Sequence, residues 1–422
     1  MSAFFALLAG AFSLLCFYLY LKHNYWKRNG IPTVRGCVPL VGHILPMITK
    51  RMNFSEFLRL VYEEHKDHSM VGIYKGTRPV LIIRDPNLVK IVLQTNFSNF
   101  HENGRKVVAE VDPLLSKHPL FTGEVVANGG LGIEGYCFKE EVGANAFHKL
   151  VGNTFAESLG TIITFHYPDI NRLLKVRFLP KSMDRYFRNV VSENLKIRRN
   201  DSTPRIGDVI DEENVTAHAV FLYLEGLETT SITMNFICHD LATNPEIQEK
   251  LRKEVRSTIE KHGGLTFEAL KDMTYMNQVI SESQRLHSAV GFLPKICSEE
   301  FELQGSDGLT YRIKPGTEVD ISIFGLHTDP KYWENPDVFD PERFNDEREQ
   351  TIEKMTFLPF NVGPRICVEM RMALLQMKAC LATLLSNYKL ELSPRTQVPL
   401  KLSPYYFMSE PVGGNWAYIS KL

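Results

Sequence analysis

The chain has 422 residues, of which 44% are hydrophobic and 23% charged, and its formal net charge at pH 7 is −1. This is the composition of a globular protein with a large core, so a disordered or fibrous chain is excluded. The balanced charge also excludes a protein that is held to nucleic acid by bulk positive charge, and no nucleic-acid partner is expected.

Seven cysteines are scattered along the chain and none forms a C-x-x-C pair, so a zinc ribbon or a thioredoxin-type motif is not predicted. Their odd number predicts reduced thiols on the cytosolic side of a membrane. They are Cys16, Cys37, Cys137, Cys238, Cys297, Cys367 and Cys380.

An uncharged stretch from Ser2 to Leu21 is long enough to cross a bilayer as a helix. Lys22, Lys27 and Arg28 follow it, which predicts that the rest of the chain is cytosolic. The alternative is a cleaved signal peptide, which needs positive charge before a shorter apolar run. We therefore predict an anchor with its basic flank over residues 1–28 and one catalytic domain over 29–422.

In the first part of that domain, the sequence pattern predicts a short hairpin over residues 71–83, with Gly76 in its turn, and a helix from Pro86. The pattern over 97–205 is poor, apart from helical segments around 173–196.

Helical patterns dominate after residue 205. We expect helices over Asp211–Thr243, from Pro245 with Asn244 as the cap, over 273–287 and over 368–388. Short strands are expected near 310–323 and a β-hairpin in the tail. The predicted fold is mainly α with small β-sheets.

Gly130-Leu131-Gly132-Ile133-Glu134-Gly135 matches the G-x-G-x-x-G nucleotide-binding pattern. That motif requires a hydrophobic strand before it and a helix that opens on its glycines. Neither is predicted here, so we do not expect nucleotide binding.

Cys367 ends a turn-rich loop, FLPFNVGPRIC, and a long apolar helix is predicted to begin immediately after it. A thiol at a helix N-terminus is stabilised as thiolate, and a thiolate in an apolar pocket is an axial ligand for haem iron. Gly363 permits the turn, and Arg365 offers a fork to a carboxylate such as a haem propionate. The alternative is a buried structural cysteine.

Glu282 and Arg285 are three residues apart within VISESQRLH, so they share one helix face and can pair. Their apolar neighbours indicate burial, and a buried pair needs further partners, for which Arg343 in D-P-E-R-F is the candidate.

Glu225-Gly226-Leu227-Glu228-Thr229 interrupts the apolar middle of the helix predicted over Asp211–Thr243. Glycine there permits a local distortion, and Glu228 with the Thr229 hydroxyl can pass protons into a cavity. The alternative is a polar stripe that faces water.

These elements, in this order, resemble the cytochrome P450 family of haem-thiolate monooxygenases, and the microsomal insect type most of all. The resemblance implies a helical fold and haem b (iron protoporphyrin IX), with Cys367 as the metal ligand inside a motif that includes Phe360 and Gly363. It implies that Arg365 contacts a propionate and that Lys295, in the F-L-P-K segment after the E-x-x-R helix, does likewise. It also implies a structural network of Glu282, Arg285 and Arg343, and a proton relay through Glu228 and Thr229.

The chain departs from the family pattern by its short length. The tryptophan-containing segment expected after His118-Pro119-Leu120-Phe121 is missing, and internal deletions are expected near residues 123–124 and 206–211. Glu369 stands two residues after Cys367 where the family has glycine, and Glu225 stands where it has a small residue.

The resemblance implies a monooxygenase of the endoplasmic reticulum membrane that inserts one oxygen atom from O₂ into a lipophilic small molecule. An NADPH-dependent flavoprotein reductase would supply the electrons. One alternative is a catalytically impaired family remnant that binds haem or lipid without turnover, and another is a membrane-tethered helical protein without haem.

Overall fold

The computed structural model describes residues 2–103, 110–112, 159–199 and 211–422. The contacts divide the chain into two compact units, which are described separately. Unit 1 comprises Met1–Gly104, Thr233–Pro404 and Ser409–Leu422, and unit 2 comprises Arg105–Ile232 and Tyr405–Met408. The predicted fold class, mainly helical with small sheets, is confirmed.

The N-terminal part of unit 1 begins with one long apolar helix, and Phe4–His23 is the one stretch of the described residues that is long and apolar enough to span a membrane. The helices of this part are α1 (Ser2–His23), α2 (Tyr25–Arg28), α3 (Leu45–Ile48), α4 (Phe54–Glu64) and α5 (Pro86–Lys90). Side chains cap two of them, because Asn53 accepts from the Glu56 N–H and Asp85 from the Asn87 N–H, at 2.8 and 2.9 Å.

A five-stranded sheet is formed by β1 (Met70–Lys75), β2 (Arg78–Ile83), β3 (Glu102–Asn103), β4 (Phe292–Ile296) and β7 (Glu318–Ser322). The order of its strands is β1-β2-β7-β4-β3. The predicted hairpin is confirmed as an antiparallel β1–β2 pair whose register sets Gly72 opposite Leu81. β2 and β4 both pair with β7, which makes β7 the buried centre of the sheet.

Unit 2 contains helices that agree in part with the segment predicted around 173–196. They are α6 (Leu159–His166), α7 (Pro168–Leu174) and α8 (Lys181–Arg199). A long helix, α9 (Glu212–Thr243), confirms the prediction over Asp211–Thr243, and the boundary of the two units falls within it.

The second helical part of unit 1 packs around one apolar core that includes Leu241, Leu251, Val279 and Leu381. Its helices are α10 (Pro245–His262), α11 (Phe267–Asp272), α12 (Thr274–Leu286) and, after the short helix α13 (Ile323–Thr328), α14 (Met370–Asn387). α13 itself contributes Leu326 to a different apolar core of unit 1. The remaining strands form two pairs, β5 (Phe301–Gln304) with β6 (Thr310–Ile313) and β8 (Tyr388–Leu392) with β9 (Ala417–Lys421).

Two local predictions are confirmed only in part. Asn244 is at the N-cap position before Pro245, as predicted. The side chain of Asn244 does not cap α10, because its amide instead donates to the Asp240 carbonyl of the preceding helix at 2.8 Å. The tail is not a simple hairpin either, because residues 393–416 separate β8 from β9, although the two strands pair antiparallel as expected.

Candidate active site

The loop before Cys367 is closed by hydrogen bonds between its own residues. The Cys367 N–H donates to the Phe360 carbonyl at 2.8 Å, and the Ile366 N–H donates to the Gly363 carbonyl at 3.1 Å. The Asn361 side chain spans the loop, since its amide donates to the Arg365 carbonyl at 2.9 Å while its oxygen accepts from the Val362 N–H at 2.8 Å. This pattern holds the backbone of Cys367 in one place.

Gly363 is the residue that makes this loop possible. Its φ of +74° lies in the left-handed region, and a Cβ at this position would lie 2.2 Å from the Leu93 carbonyl oxygen. The loop backbone therefore packs directly against the helical turn Ile91–Thr95, and only glycine satisfies both conditions.

The helix predicted over 368–388 is confirmed, but it begins two residues later than predicted, because α14 begins at Met370. The reason is that the Cys367 N–H bonds back to Phe360, so Cys367 belongs to the loop. Glu369 occupies the N-cap position, and its carbonyl accepts from the Ala373 N–H at 2.8 Å. Cys367 is partly exposed and forms no disulfide. It precedes the first residue of α14 by three residues.

Lys295 lies on β4 with 2% of its surface exposed. Burial, and after it the positive charge of Arg365, lower the pKa of Lys295 to about 8. The positive charges of Lys295 and Arg365 therefore repel each other at the Cys367 loop. An anionic group there would offset that repulsion, so these residues fit the propionates of a haem.

Glu282 and Arg285 form a pair on α12 whose side chains are completely buried. Arg285 donates to both carboxylate oxygens of Glu282 at 2.8 Å. Arg343 also reaches Glu282, with 3.3 Å between its Nε and Oε1. The three residues predicted as a network are thus in direct contact.

His327 is a member of this network that sequence reasoning missed. Its Nδ1 lies 3.2 Å from the Arg285 carbonyl, and its Nε2 accepts the Leu358 N–H at 2.8 Å. Burial and the charge of Arg285 lower the pKa of His327 to about 3, so the ring is neutral with its proton on Nδ1. His327 therefore connects the ion pair to the segment that leads into the Cys367 loop, and nothing in its sequence context, FGLHT, signals this role.

Glu228 and Thr229 lie on α9 in unit 2, and both are partly buried. The helix runs through Gly226 without interruption, so the local distortion that glycine permits is not seen in its secondary structure. Three features named in the sequence analysis lie outside the described residues. They are the Glu225 side chain, the G-x-G-x-x-G stretch at residues 130–135, and the expected deletion points near 123–124 and 206–211, of which only Asp211 is described. The proton-relay roles assigned to Glu228 and Thr229 stay predictions.

A rigid cysteine loop before a long helix, backed by a buried Glu-Arg pair, defines the class of haem-thiolate proteins. The family model described as Cytochrome P450 matches residues 151–417, which is more than half of the chain. The chain therefore belongs to the cytochrome P450 family, whose members are monooxygenases that bind haem b through a cysteine thiolate.

Insect cytochromes P450 are similar to the chain over nearly its whole length. Cytochrome P450 9e2 of Blattella germanica is 26% identical over 94% of this chain and 93% of its own length. Cytochrome P450 6a2 of Drosophila melanogaster is 26% identical over 99% of both chains. Probable cytochrome P450 28c1 of Drosophila melanogaster is 28% identical over 97% of both.

These alignments also show that the chain is short for its family. The alignment with cytochrome P450 6a2 has 506 positions while this chain has 422 residues, so at least 84 positions stand opposite gaps in this chain. The prediction of missing internal sequence is confirmed, and its predicted location near residues 123–124 and 206–211 stays a prediction.

Proposed function

We propose that this chain is a monooxygenase of the endoplasmic reticulum membrane that acts on a lipophilic small molecule with O₂ as the oxygen source. An NADPH-dependent flavoprotein reductase supplies the electrons. The observation that carries the proposal is the closed loop that fixes the backbone of Cys367, because an axial thiolate must be held at one position to serve as a ligand.

We assign the metal-ligand role to the Cys367 sulfur. Bound haem supplies the redox-active iron at which dioxygen is activated. Lys295 and Arg365 hold the propionates by charge, Gly363 and Phe360 form the loop, and Glu282, Arg285 and Arg343 hold the backbone behind it. The burial and contacts of the ion-pair residues support that structural role.

Glu228 and Thr229 are proposed as the groups that move protons towards dioxygen. A carboxylate can exchange a proton with solvent and a hydroxyl can both donate and accept one, so the pair is suited to a relay. Their partial burial and adjacent positions on α9 support the assignment.

The membrane assignment rests on α1, whose 20-residue apolar stretch from Phe4 to His23 matches the thickness of a bilayer core. Lys27 and Arg28 follow it, so the catalytic part faces the cytosol. We propose residues 1–28 as anchor and basic flank and 29–422 as one catalytic domain.

The direct test is the spectrum of the reduced protein with bound carbon monoxide. We expect the thiolate-type Soret band from the full chain and its loss in Cys367→Ala. Cys380→Ala is the matched control, because Cys380 is an exposed free cysteine on α14. A thiolate-type band that persists in Cys367→Ala would refute the assignment.

The second candidate is a family remnant that binds haem or lipid without turnover, which Glu369 favours. Glu369 is partly buried two residues after Cys367, and a carboxylate there repels both a thiolate and the propionates. Oxidation of a lipophilic probe by the full chain with reductase would exclude the remnant. A normal carbon monoxide spectrum without probe oxidation, followed by turnover in Glu369→Gly, would support it.

A further inference from the structure

Two cysteines of unit 1 lie on helices that pack against the same apolar core. On α9, Cys238 packs against this core, as does Leu241, which lies three residues after it. On α14, Cys380 lies three residues after Met377 and four before Leu384, and both of these belong to the same packed cluster. Residues three and four apart share a helix face. Each cysteine therefore lies on the side of its helix that is directed towards this core.

The two thiols are also close to one another. The charge of Cys380 is, after burial, the next cause that raises the pKa of the Cys238 thiol. Interactions of exposed charges are largely screened beyond about 10 Å in dilute salt solution. The packing of α9 and α14 on one core therefore brings the two sulfur atoms near each other.

The two sulfurs differ in their access to water. Cys380 is exposed, whereas Cys238 is only partly exposed. Burial, and after it the charges of Cys380 and Asp240, raise the pKa of Cys238 to about 12, so its thiol keeps its proton at neutral pH. Among the residues that the structure describes, the other exposed cysteine is Cys16, which lies within α1. An oxidant in water therefore reaches Cys380 before it reaches Cys238.

We propose that Cys380 and Cys238 form a reversible disulfide when the protein meets hydrogen peroxide. In the first step the Cys380 thiolate attacks one peroxide oxygen and the O–O bond breaks. This step leaves a sulfenic acid on Cys380 and a hydroxide ion, which takes up a proton to form water. In the second step the Cys238 sulfur attacks the Cys380 sulfur and the S–O bond breaks. The leaving hydroxyl group takes the Cys238 proton to form a second water molecule. The two thiols together lose two electrons, and the peroxide gains them.

The disulfide joins α14, which follows the Cys367 loop, to the C-terminal part of α9. A thiol reductant reverses it by exchange. The inference does not depend on the proposed monooxygenase function, because neither thiol belongs to the Cys367 loop. The carbon monoxide spectrum reports haem ligation separately, so failure of the disulfide and failure of the proposed function are distinguishable.

The test uses the full chain as purified, reduced and then freed of reductant. Stoichiometric hydrogen peroxide is added, the remaining thiols are blocked with iodoacetamide in denaturant, and the monomer band of a non-reducing gel is digested for mass spectrometry. We expect a peptide in which Cys238 and Cys380 are linked, and its loss after treatment with dithiothreitol. A Cys380 peptide that stays unlinked, or that is linked to any other cysteine or to a second copy of the chain, would overturn the proposal.

Variants separate the roles of the two thiols. In Cys238→Ala the sulfenic acid on Cys380 has no thiol to resolve it, so its labelling by dimedone should rise several-fold over the parent. In Cys380→Ala, Cys238 should remain a free thiol at the same peroxide exposure. Cys297→Ala is the matched control, because Cys297 is a buried cysteine whose sulfur donates to the Glu299 carbonyl at 2.9 Å. It should form the linked peptide with the yield of the parent.

Equal dimedone labelling of Cys380 in the parent and in Cys238→Ala would show that Cys238 does not resolve the sulfenic acid, and would overturn the pairing. The linked peptide in the parent chain decides the proposal even if a variant does not fold.

Discussion

Arg285 donates two hydrogen bonds of 2.8 Å to the two carboxylate oxygens of Glu282, and neither side chain has any exposed surface. Arg285 also donates to the carbonyls of His327 and Pro336 at 2.8 Å. The guanidinium thereby joins α12 to α13 and to the chain that leads towards Arg343. A buried charge with this many partners tolerates no loss of a partner, because the remaining charge would be left without compensation.

Replacement of Arg285 by methionine should therefore destabilise unit 1 by about 3–5 kcal/mol, the usual cost of breaking a buried ion pair. The midpoint of denaturant unfolding is the measurement. Arg59→Met is the matched control, because Arg59 pairs with Glu63 at 3.1 Å on the exposed face of α4. That control should cost less than about 1 kcal/mol. Equal effects of the two variants would contradict the structural role of the buried pair.

Gly363→Ala tests whether the Cys367 loop needs its close approach to Leu93. The added Cβ would meet the Leu93 carbonyl oxygen at 2.2 Å, so the loop must move and haem retention on purification should fall. Gly308→Ala shares the left-handed conformation, with a φ of +84°, but its Cβ meets nothing within 4 Å. It should show only the backbone cost of about 1 kcal/mol and full haem content. Full haem content in Gly363→Ala would show that the contact is dispensable.

The sequence predicts those features whose causes are local. The β1–β2 hairpin follows from short β-rich runs around Gly76, and the Glu282–Arg285 pair follows from helical spacing between apolar neighbours. Features set by distant contacts were missed or placed wrongly. His327 joins the network because α13 packs beside α12, a tertiary contact that no local pattern encodes. Two local details were also missed, because the side chain of Asn244 at the N-cap of α10 bonds to Asp240 and the Cys367 N–H bonds to Phe360, so that α14 begins two residues later than predicted.

The buried charges on β7 should make stability depend on pH. Lys75 reaches Glu318 at 2.7 Å and Asp320 at 2.9 Å, so two carboxylates share one ammonium group in the sheet. Burial, with the nearby charge of Glu318, raises the pKa of Asp320 from 3.8 to about 7. The folded state therefore binds a proton more tightly than the unfolded chain, and this contribution to stability is complete below pH 3.8 and is lost as pH rises through about 7.

Asp320→Asn removes this ionisation while it keeps the side-chain shape. Relative to the parent, the variant should gain stability as pH rises from about 5 to about 8, measured as the midpoint of denaturant unfolding at each pH. Asp272→Asn is the control, because hydrogen bonds from Lys261 and His262 lower the pKa of the exposed Asp272 carboxyl, which stays ionised across this range. If the difference in unfolding midpoint between the parent and Asp320→Asn did not change with pH, the raised pKa of Asp320 would be contradicted.

Haem binding should depend on the charge of Lys295. In the protein without haem, burial and then the charge of Arg365 lower the pKa of Lys295 to about 8, so the ammonium group loses its proton just above neutral pH. Anionic propionates favour the charged form, and haem affinity should therefore fall as pH rises from about 7 to about 9. Titration of haem into haem-free protein, followed by Soret absorbance, measures this dependence.

The variant Lys295→Met should bind haem on the order of tenfold more weakly at neutral pH, with little further loss of affinity at high pH. Lys378→Met is the matched control, because burial also lowers the pKa of Lys378 while its charge interacts with Glu254 of α10. It should leave the haem affinity and its pH dependence unchanged. An affinity in Lys295→Met that equals the parent's at neutral pH would remove Lys295 from the haem site.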